Sequence, residues 1–247
     1  MAAVCDKKIR DWLPQDLPVS CRILGLDYRS YLSDLDAGGC PEERELRHLA
    51  SRSRDMRRQL NWAGVGVEGR GVVWLAHSMG GLLVKQLLCP EPPTQPAPHD
   101  DVNDNVYHTL ACIFFSTPHF GSPLASRTVV PGYRALLQPS VEVDQLVEGS
   151  PQLLQLHARF VWLVAEQGVR CLSVGEGKPS VWRLAGGRVK LKESFMVPST
   201  SANPGVGDFR LFPNLTHLET CKPEAKDSDL YQCVLDFLDE LLPFDVL

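Results

Sequence analysis

The chain has 247 residues, of which 44% are hydrophobic and 22% are charged, an ordinary balance for one sizeable globular domain. Its formal net charge of −5 argues against nucleic acid as the main partner, because phosphate binding requires a basic surface. No apolar stretch reaches the roughly 18–20 residues that a membrane-spanning helix needs, and the amino terminus lacks the hydrophobic stretch of a signal peptide.

The eight cysteines are scattered, without a C-x-x-C pair or a zinc-like spacing. We therefore expect reduced thiols, no metal site and an intracellular protein. No G-x-G-x-x-G follows the first predicted strand, so no dinucleotide or other cofactor is predicted.

In the first part of the chain, the pattern predicts strands that alternate with helices. Two prolines, Pro14 and Pro18, predict an irregular opening segment. The predicted elements are then a strand over 21–28, an exposed amphipathic helix over 41–60, a strand over 71–76 covered on both faces, and a helix over 80–88.

A Pro-rich, acidic stretch over 90–105 predicts an exposed loop. After it come a buried strand over 109–116, a mostly helical region over 123–167 with a break near 149–151, strands over 169–174 and 194–197, and a closing helix over 229–242. We interpret 123–167 either as a cap over a lipid site or as helices packed on the sheet.

This alternation predicts βαβ units, and hence an α/β fold of the α/β-hydrolase kind. We expect one domain over 1–247, with a mostly parallel central sheet flanked by helices and with the first strands of such a sheet missing.

The stretch VVWLAHSMGGL at 72–82 predicts a strand, a sharp turn at Ser78 and a helix, which is the arrangement of a nucleophile elbow. Small residues are needed two positions on either side of the serine, and Ala76 and Gly80 stand there. The N–H of Met79, at the start of the helix, is a candidate oxyanion donor.

An activated serine needs a base, and the base needs an orienting acid, in the chain order Ser, acid, His. Glu176 follows a predicted strand end between two glycines, and Asp208 is its rival. His217 is the only histidine after Glu176 and is the predicted base. His119 precedes the acid, so we expect it to shape the pocket or to pack.

Several segments together resemble the C-terminal lipase-like domain of the serine-active-site-containing proteins, within the α/β-hydrolase superfamily. They are DWLPQDLP, LDYRSYLSD, VVWLAHSMGGLLVKQLL, FFSTPHFGS and THLETCKPEAKD, and the likeness covers nearly the whole chain. Ser78 and His217 fall on the family's active-site serine and late histidine, and Glu176 stands where its acid is plausible. His77 is a frequent companion of such elbows, with a structural role.

The resemblance implies a hydrolase or transacylase that remodels the acyl chains of phosphatidylglycerol, with consequences for cardiolipin composition and intracellular cholesterol. It also implies a phospholipid substrate, peripheral membrane contact, and a location at the endoplasmic reticulum–mitochondria interface. The sequence names no protein partner.

One departure concerns the oxyanion hole. Such hydrolases take a second oxyanion N–H from a loop after an earlier strand that ends in His-Gly, and no such segment precedes Ser78. Either the chain is a short isoform or fragment that begins after that strand, or another segment substitutes. Losing one donor costs on the order of 100–1,000-fold in rate, so we expect a weak catalyst. The alternative is a non-catalytic binding or scaffold module on the same fold.

Overall fold

The computed structural model describes residues 7–26, 49–90, 108–123, 146–183 and 190–242. The helices are α1 (Lys7–Asp16), α2 (Leu49–Trp62), α3 (Met79–Leu88), α4 (Pro151–Gln167), α5 (Ser199–Ala202) and α6 (Asp229–Leu241). The strands are β1 (Val72–His77), β2 (Thr109–Phe115), β3 (Arg170–Glu176), β4 (Ser180–Arg183), β5 (Lys190–Ser194) and β6 (Asp208–Phe212).

Within the described ranges, four strands form the main sheet in the order β1-β2-β3-β6, and every neighbouring pair is parallel. Their carboxyl ends therefore meet at one edge, which is where open α/β sheets place their ligand sites. Strands β4 and β5 pair antiparallel in a separate hairpin. The predicted parallel sheet flanked by helices is confirmed.

Apolar layers cover both faces of the sheet. Strand β1 sends Trp74 and Ala76 into one layer and Val73 and Leu75 into the other, as the period of two in a strand requires. The first layer is closed by α2, α3 and α4, and the second by α1 and α6. Because both faces of the sheet are covered, β1 to β3 have apolar residues at nearly every position.

Helix α4 has clear local start and stop signals. The Ser150 side chain accepts a hydrogen bond from the N–H of Leu153, and Pro151 occupies the first turn. Gly168 ends the helix in the left-handed conformation, at φ 65°. The predicted break near 149–151 is therefore the N-cap of α4. Its side chains Leu153, Leu156 and Phe160 pack on the sheet, while 124–145 lies outside the described residues.

Three predictions about elements are wrong. The opening segment is helix α1 despite Pro14, because Ile9 and Leu13 are buried beneath the sheet and Asp16 binds Lys226 and Tyr231. Residues 21–26 have no regular structure, and 27–28 lie outside the described residues. The strand expected over 194–197 ends at Ser194 as β5, and the chain then turns into α5.

Strand β6 was not predicted, because it is the last strand of the described sheet and has a largely exposed side-chain pattern. The predicted helix over 41–60 is α2, whose described part runs to Trp62, while 41–48 lies outside the described residues. The Pro-rich loop also falls almost wholly outside them. Within the described ranges, none of the helices combines the length and the hydropathy needed to cross a membrane.

Candidate active site

Ser78 lies in the turn between β1 and α3 with a strained backbone, at φ 54° and ψ −131°. Its N–H donates to the carbonyl of Phe115 at 2.8 Å, and its carbonyl accepts from the N–H of Gly81 at 3.0 Å. Such a conformation costs on the order of 1–3 kcal/mol and persists only where the surroundings hold it. The predicted sharp turn at Ser78 is thus present in the structure.

His217 reaches Ser78 from a turn that follows β6. Its Nε2 lies 3.0 Å from the Ser78 Oγ. The turn is built by Thr216 and Glu219, because the Glu219 carboxylate accepts from both the N–H and the hydroxyl of Thr216, at 2.8 and 2.6 Å. These hydrogen bonds lower the pKa of Glu219. The sequence Thr-x-x-Glu is the signature of a capping box, so this turn has a local sequence cause.

Glu176 ends β3 and is fully buried beside His217. Its Oε2 lies 3.1 Å from the His217 Nδ1, with the ring N–H poorly aligned to it. Its Oε1 accepts from the N–H of Val197 at 2.7 Å, which fixes the carboxylate. A Cβ on Gly177 would meet the backbone of Pro213, so glycine there allows the loop that carries His217 to approach β3.

Asp208, the rival acid, lies at the opposite end of β6. The register pairs Leu172 with Asp208 and Glu176 with Phe212, so Asp208 is level with a position four residues before Glu176. That separation is about 13 Å along a strand. The structure brings Glu176, and not Asp208, to His217.

The main-chain carbonyl of His217 is held by two donors. His77 Nε2 lies 2.9 Å from it, and the hydroxyl of Thr220 donates to it at 2.8 Å. The hydroxyls of Thr220 and Ser116 lie 3.0 Å apart, so Ser116 supplies the donor in that pair, since Thr220 has already used its proton. Burial lowers the pKa of His77 to about 4, with a further contribution from His217. A neutral His77 carries a proton on Nε2 for this bond.

His119 lies apart from this hydrogen-bonded chain, in the layer between the sheet and α4. Its ring packs edge-on against Phe114 at 5.0 Å, and neither ring nitrogen has a hydrogen-bond partner among the described residues. Burial, with smaller contributions from Lys85 and His157, holds the pKa of His119 well below its usual value. Its packing position agrees with one of the two roles expected for it.

A buried amine accompanies His119. Lys85 is fully buried on α3, and its Nζ lies 2.9 Å from His157 Nδ1 and 5.0 Å from the centre of the Phe160 ring. Burial lowers the pKa of Lys85 to about 7, and burial and Lys85 lower the pKa of His157 to about 4. This cluster was not foreseen, because its members are brought together only by packing of α3 on α4.

Met79 is the first residue of α3, directly after Ser78. The first N–H groups of a helix have no intrahelical acceptor, and the helix dipole adds partial positive charge there. The structure therefore gives the Met79 N–H the position expected for a donor to negative charge that develops beside Ser78. No group of three or more metal-ligating side chains was found in the described ranges.

In this arrangement, a serine hydroxyl lies within hydrogen-bonding distance of an imidazole nitrogen, and the second nitrogen of that ring faces a buried carboxylate. An imidazole in this position can take the hydroxyl proton, and the carboxylate can stabilise the imidazolium that forms. Sequence reasoning missed the supports of this arrangement, which are Ser116, Thr220 and the N–H of Val197. Only the Thr216–Glu219 pair had a sequence signal of its own.

Comparisons with known proteins show which proteins this chain resembles in sequence. A SERAC1 protein of Homo sapiens is 40% identical over 238 residues, which are 96% of this chain and 33% of that protein. The Danio rerio SERAC1 protein is 37% identical over 233 residues, which are 94% of this chain and 33% of that protein. The chain thus spans about a third of the length of these relatives. No protein-family model matches it.

Among solved structures, the phospholipase PlaB from Legionella pneumophila superposes with a TM-score of 0.53 at 13% identity, covering 96% of this chain and 60% of that one. At that identity the likeness shows the fold alone. Together with the parallel sheet and the turn at Ser78, it identifies the fold as that of the α/β-hydrolases.

The Thr220 hydroxyl is predicted to keep the His217 ring in place. In Thr220→Val the His217 carbonyl and Ser116 each lose a partner while the side-chain volume is kept. We expect Ser78 to react with a fluorophosphonate roughly tenfold more slowly, because small displacements of a base are costly. Thr220→Ser keeps the hydroxyl and should react at the wild-type rate. Equal rates for the valine and serine variants would refute this role.

Acid should destabilise the fold through its buried neutral histidines. Since the unfolded chain binds protons near pH 6.5 and the folded chain only at lower pH, stability falls as the pH drops below 6.5. In His119→Leu, the dependence of the unfolding free energy on pH should be shallower by up to about 1.4 kcal/mol per pH unit, without loss of stability at pH 8. Urea denaturation at pH 8, 6 and 5 measures it, and an unchanged slope would contradict the prediction.

Proposed function

We propose that this chain, which is homologous over nearly its whole length to the SERAC1 proteins and has the α/β-hydrolase fold, is a lipase-like serine hydrolase of acyl esters. The observation that carries the proposal is the 3.0 Å contact between the Ser78 Oγ and the His217 Nε2, with Glu176 Oε2 3.1 Å from the other ring nitrogen. The sequence similarity to the SERAC1 proteins and the shared α/β-hydrolase fold support the same reaction class.

In the proposed reaction, the Ser78 Oγ attacks the ester carbonyl carbon while His217 Nε2 takes the hydroxyl proton. Glu176 stabilises the imidazolium through Nδ1. The tetrahedral intermediate collapses as His217 returns the proton to the leaving alcohol, which leaves an acyl group on Ser78. Water, activated by His217, then releases the acid and restores the serine.

The oxygen of the ester carbonyl becomes negative in this intermediate. The Met79 N–H at the start of α3 is the proposed donor to it, with the helix dipole adding to the stabilisation. His77, Thr220 and Ser116 act through the position of His217 and do not touch the substrate.

A fluorophosphonate probe tests the proposal, because it labels a serine only when the hydroxyl is activated. We expect covalent labelling of the wild-type chain at Ser78, none in Ser78→Ala, and labelling slowed by at least about 100-fold in His217→Gln. Glu176→Gln should also label slowly, since the amide no longer stabilises an imidazolium. Asp208→Asn is the matched control and should label like the wild type.

A folded wild-type chain that the probe does not label would favour the second candidate, a binding module that retains the hydrolase fold. The poor alignment of the His217 N–H to the Glu176 Oε2 is the observation that favours this candidate. Circular dichroism of the same sample distinguishes an unlabelled folded protein from an unfolded one.

The substrate is proposed to be a phospholipid, with phosphatidylglycerol acyl chains as the group transferred. This rests on the family resemblance, which also links the reaction to cardiolipin composition and cholesterol handling. Whether water or a second lipid alcohol accepts the acyl group decides between hydrolase and transacylase. Vesicles of phosphatidylglycerol should lose acyl chains faster than vesicles of phosphatidylcholine, in wild type and not in Ser78→Ala. Equal turnover of the two lipids would reject the headgroup preference.

Peripheral contact with membranes at the endoplasmic reticulum–mitochondria interface is proposed on the same ground. Proximity labelling from this protein in cells should enrich markers of that interface over cytosolic markers. Equal enrichment of the two would reject the location.

A further inference from the structure

Five side chains form a closed ring in the layer between the sheet and helices α3 and α4. The Lys85 Nζ lies 5.0 Å from the centre of the Phe160 ring, whose centre is 5.6 Å from that of Phe114. The Phe114 ring lies 5.0 Å from that of His119, and the His119 ring lies 6.3 Å from that of His157. The 2.9 Å contact between His157 Nδ1 and Lys85 Nζ closes the circuit, which we call the Lys85 ring. A closed ring with sides of about 5 Å can hold one particle of the size of water at its centre.

Polar side chains in and beside the Lys85 ring are enclosed by protein. Lys85 and His119 have no exposed surface, and neither do Thr117 and Ser173. Thr117 packs against α3 one turn before Lys85, and Ser173 is the register partner of Phe114 on the neighbouring strand. The two hydroxyls therefore border the same layer as the ring.

Four buried polar atoms here have no hydrogen-bond partner among the described residues. They are the Thr117 Oγ1, the Ser173 Oγ and both ring nitrogens of His119. A neutral imidazole carries one N–H and each hydroxyl carries one O–H, so these three side chains bring three unused donors. Buried donors are almost always satisfied by protein, by water or by an ion, so a partner is expected for them.

Lys85 adds further donors to this set. His157 donates a ring N–H to the carbonyl of Pro204, so its Nδ1 is unprotonated and accepts from Lys85. That contact uses one N–H of an ammonium group that has three. Phe160 offers the amine only the face of its ring.

The charge of Lys85 is not balanced within the described ranges. Lys85 forms no ion pair with a carboxylate there, and Arg159 on α4, which acts on Cys89, brings a second positive charge. The other titratable groups that interact with the amine are three thiols and two imidazoles: Cys89, Cys112, Cys171, His119 and His157. Burial raises the pKa of the thiols and lowers the pKa of both imidazoles, so all five are neutral near pH 7. A buried ammonium without a counter-ion is costly, and burial accordingly lowers the pKa of Lys85 to about 7.

We propose that the Lys85 ring binds one small monovalent anion, chloride, between the Lys85 ammonium and the three unused donors beside it. A site with several donors, a positive charge and few acceptors suits an anion better than water, which has to donate hydrogen bonds as well as accept them. Because the site is enclosed, it admits a monatomic ion and excludes larger anions such as phosphate. It is separate from the candidate active site, and its occupation does not depend on ester chemistry.

The bound ion connects three parts of the fold. Lys85 belongs to α3, which begins directly after Ser78, and His157 belongs to α4. Thr117 and His119 lie in the turn that follows β2. Only the folded chain brings these groups together, so the anion stabilises the folded state in proportion to its occupancy.

Chloride-dependent stability tests the proposal. Urea denaturation of the 247-residue chain is followed at pH 6.5 while chloride replaces gluconate at constant ionic strength. For a dissociation constant of about 10 mM, the equilibrium constant for unfolding should fall about tenfold between zero and about 100 mM chloride. Lys85→Met keeps the length of the side chain without its charge, and this variant should show no chloride dependence.

The matched control is Lys222→Met, which makes the same change in net charge at an exposed lysine. It should keep the chloride dependence of the wild type. Equal chloride dependence of the Lys85 and Lys222 variants would show a general salt effect and overturn the proposal.

Protonation of Lys85 provides a second measurement. The ammonium attracts the anion and the neutral amine does not, so chloride should bind about tenfold more weakly for each pH unit above the pKa of Lys85. An affinity for chloride that is the same at pH 6.5 and pH 8.5 would contradict the site.

Bromide locates the ion directly, because it scatters X-rays anomalously. A crystal of the wild-type chain soaked in sodium bromide should show an anomalous peak inside the Lys85 ring, within about 3.5 Å of Nζ. Peaks at the surface alone would identify adventitious ions only and overturn the proposal. If Lys85→Met fails to fold, this measurement decides the question together with His119→Phe, which keeps an aromatic ring without the donor and should bind chloride at least about fivefold more weakly.

Discussion

The parallel alignment of β1, β2 and β3 is the constraint on which the site depends. Each strand ends at the same edge of the sheet, and each is followed or ended there by a polar residue: Ser78, Ser116 and Glu176. The main-chain bond from Ser78 to Phe115, and that from Ser116 to Val174, tie these ends together. A slip of one residue in either pairing would turn the alternating side chains to the wrong face and separate the three.

His217 depends on this edge in a different way, because it belongs to a turn rather than to a strand. Its position results from the Thr216–Glu219 turn, the close approach at Gly177, and two donors to its carbonyl. Loops hold functional groups well only when a rigid scaffold fixes them. Here the scaffold is β3 and the end of β2.

Strand β1 is the outermost strand of the described sheet, since among the described residues it pairs with β2 alone. Its carboxyl end leads into Ser78, and its other side borders an apolar groove of about 590 Å³ that residues 19–26 also line. The strand that positions the nucleophile is therefore held by its hydrogen bonds to β2 and by the apolar layers on its two faces.

The sequence by itself determined the fold class, the turn at Ser78 and the helices with strong periodicity or caps, because those depend on patterns within a few residues. The capping box around His217 is equally local. The sequence could not reveal helix α1, which packing stabilises despite Pro14, or the exposed strand β6. It also left Glu176 and Asp208 as rivals, since both stand in loops or at strand ends in the linear chain. Only the tertiary register decided between them: Glu176 and Asp208 lie at opposite ends of two paired strands, and a carboxylate can contact His217 from one end alone.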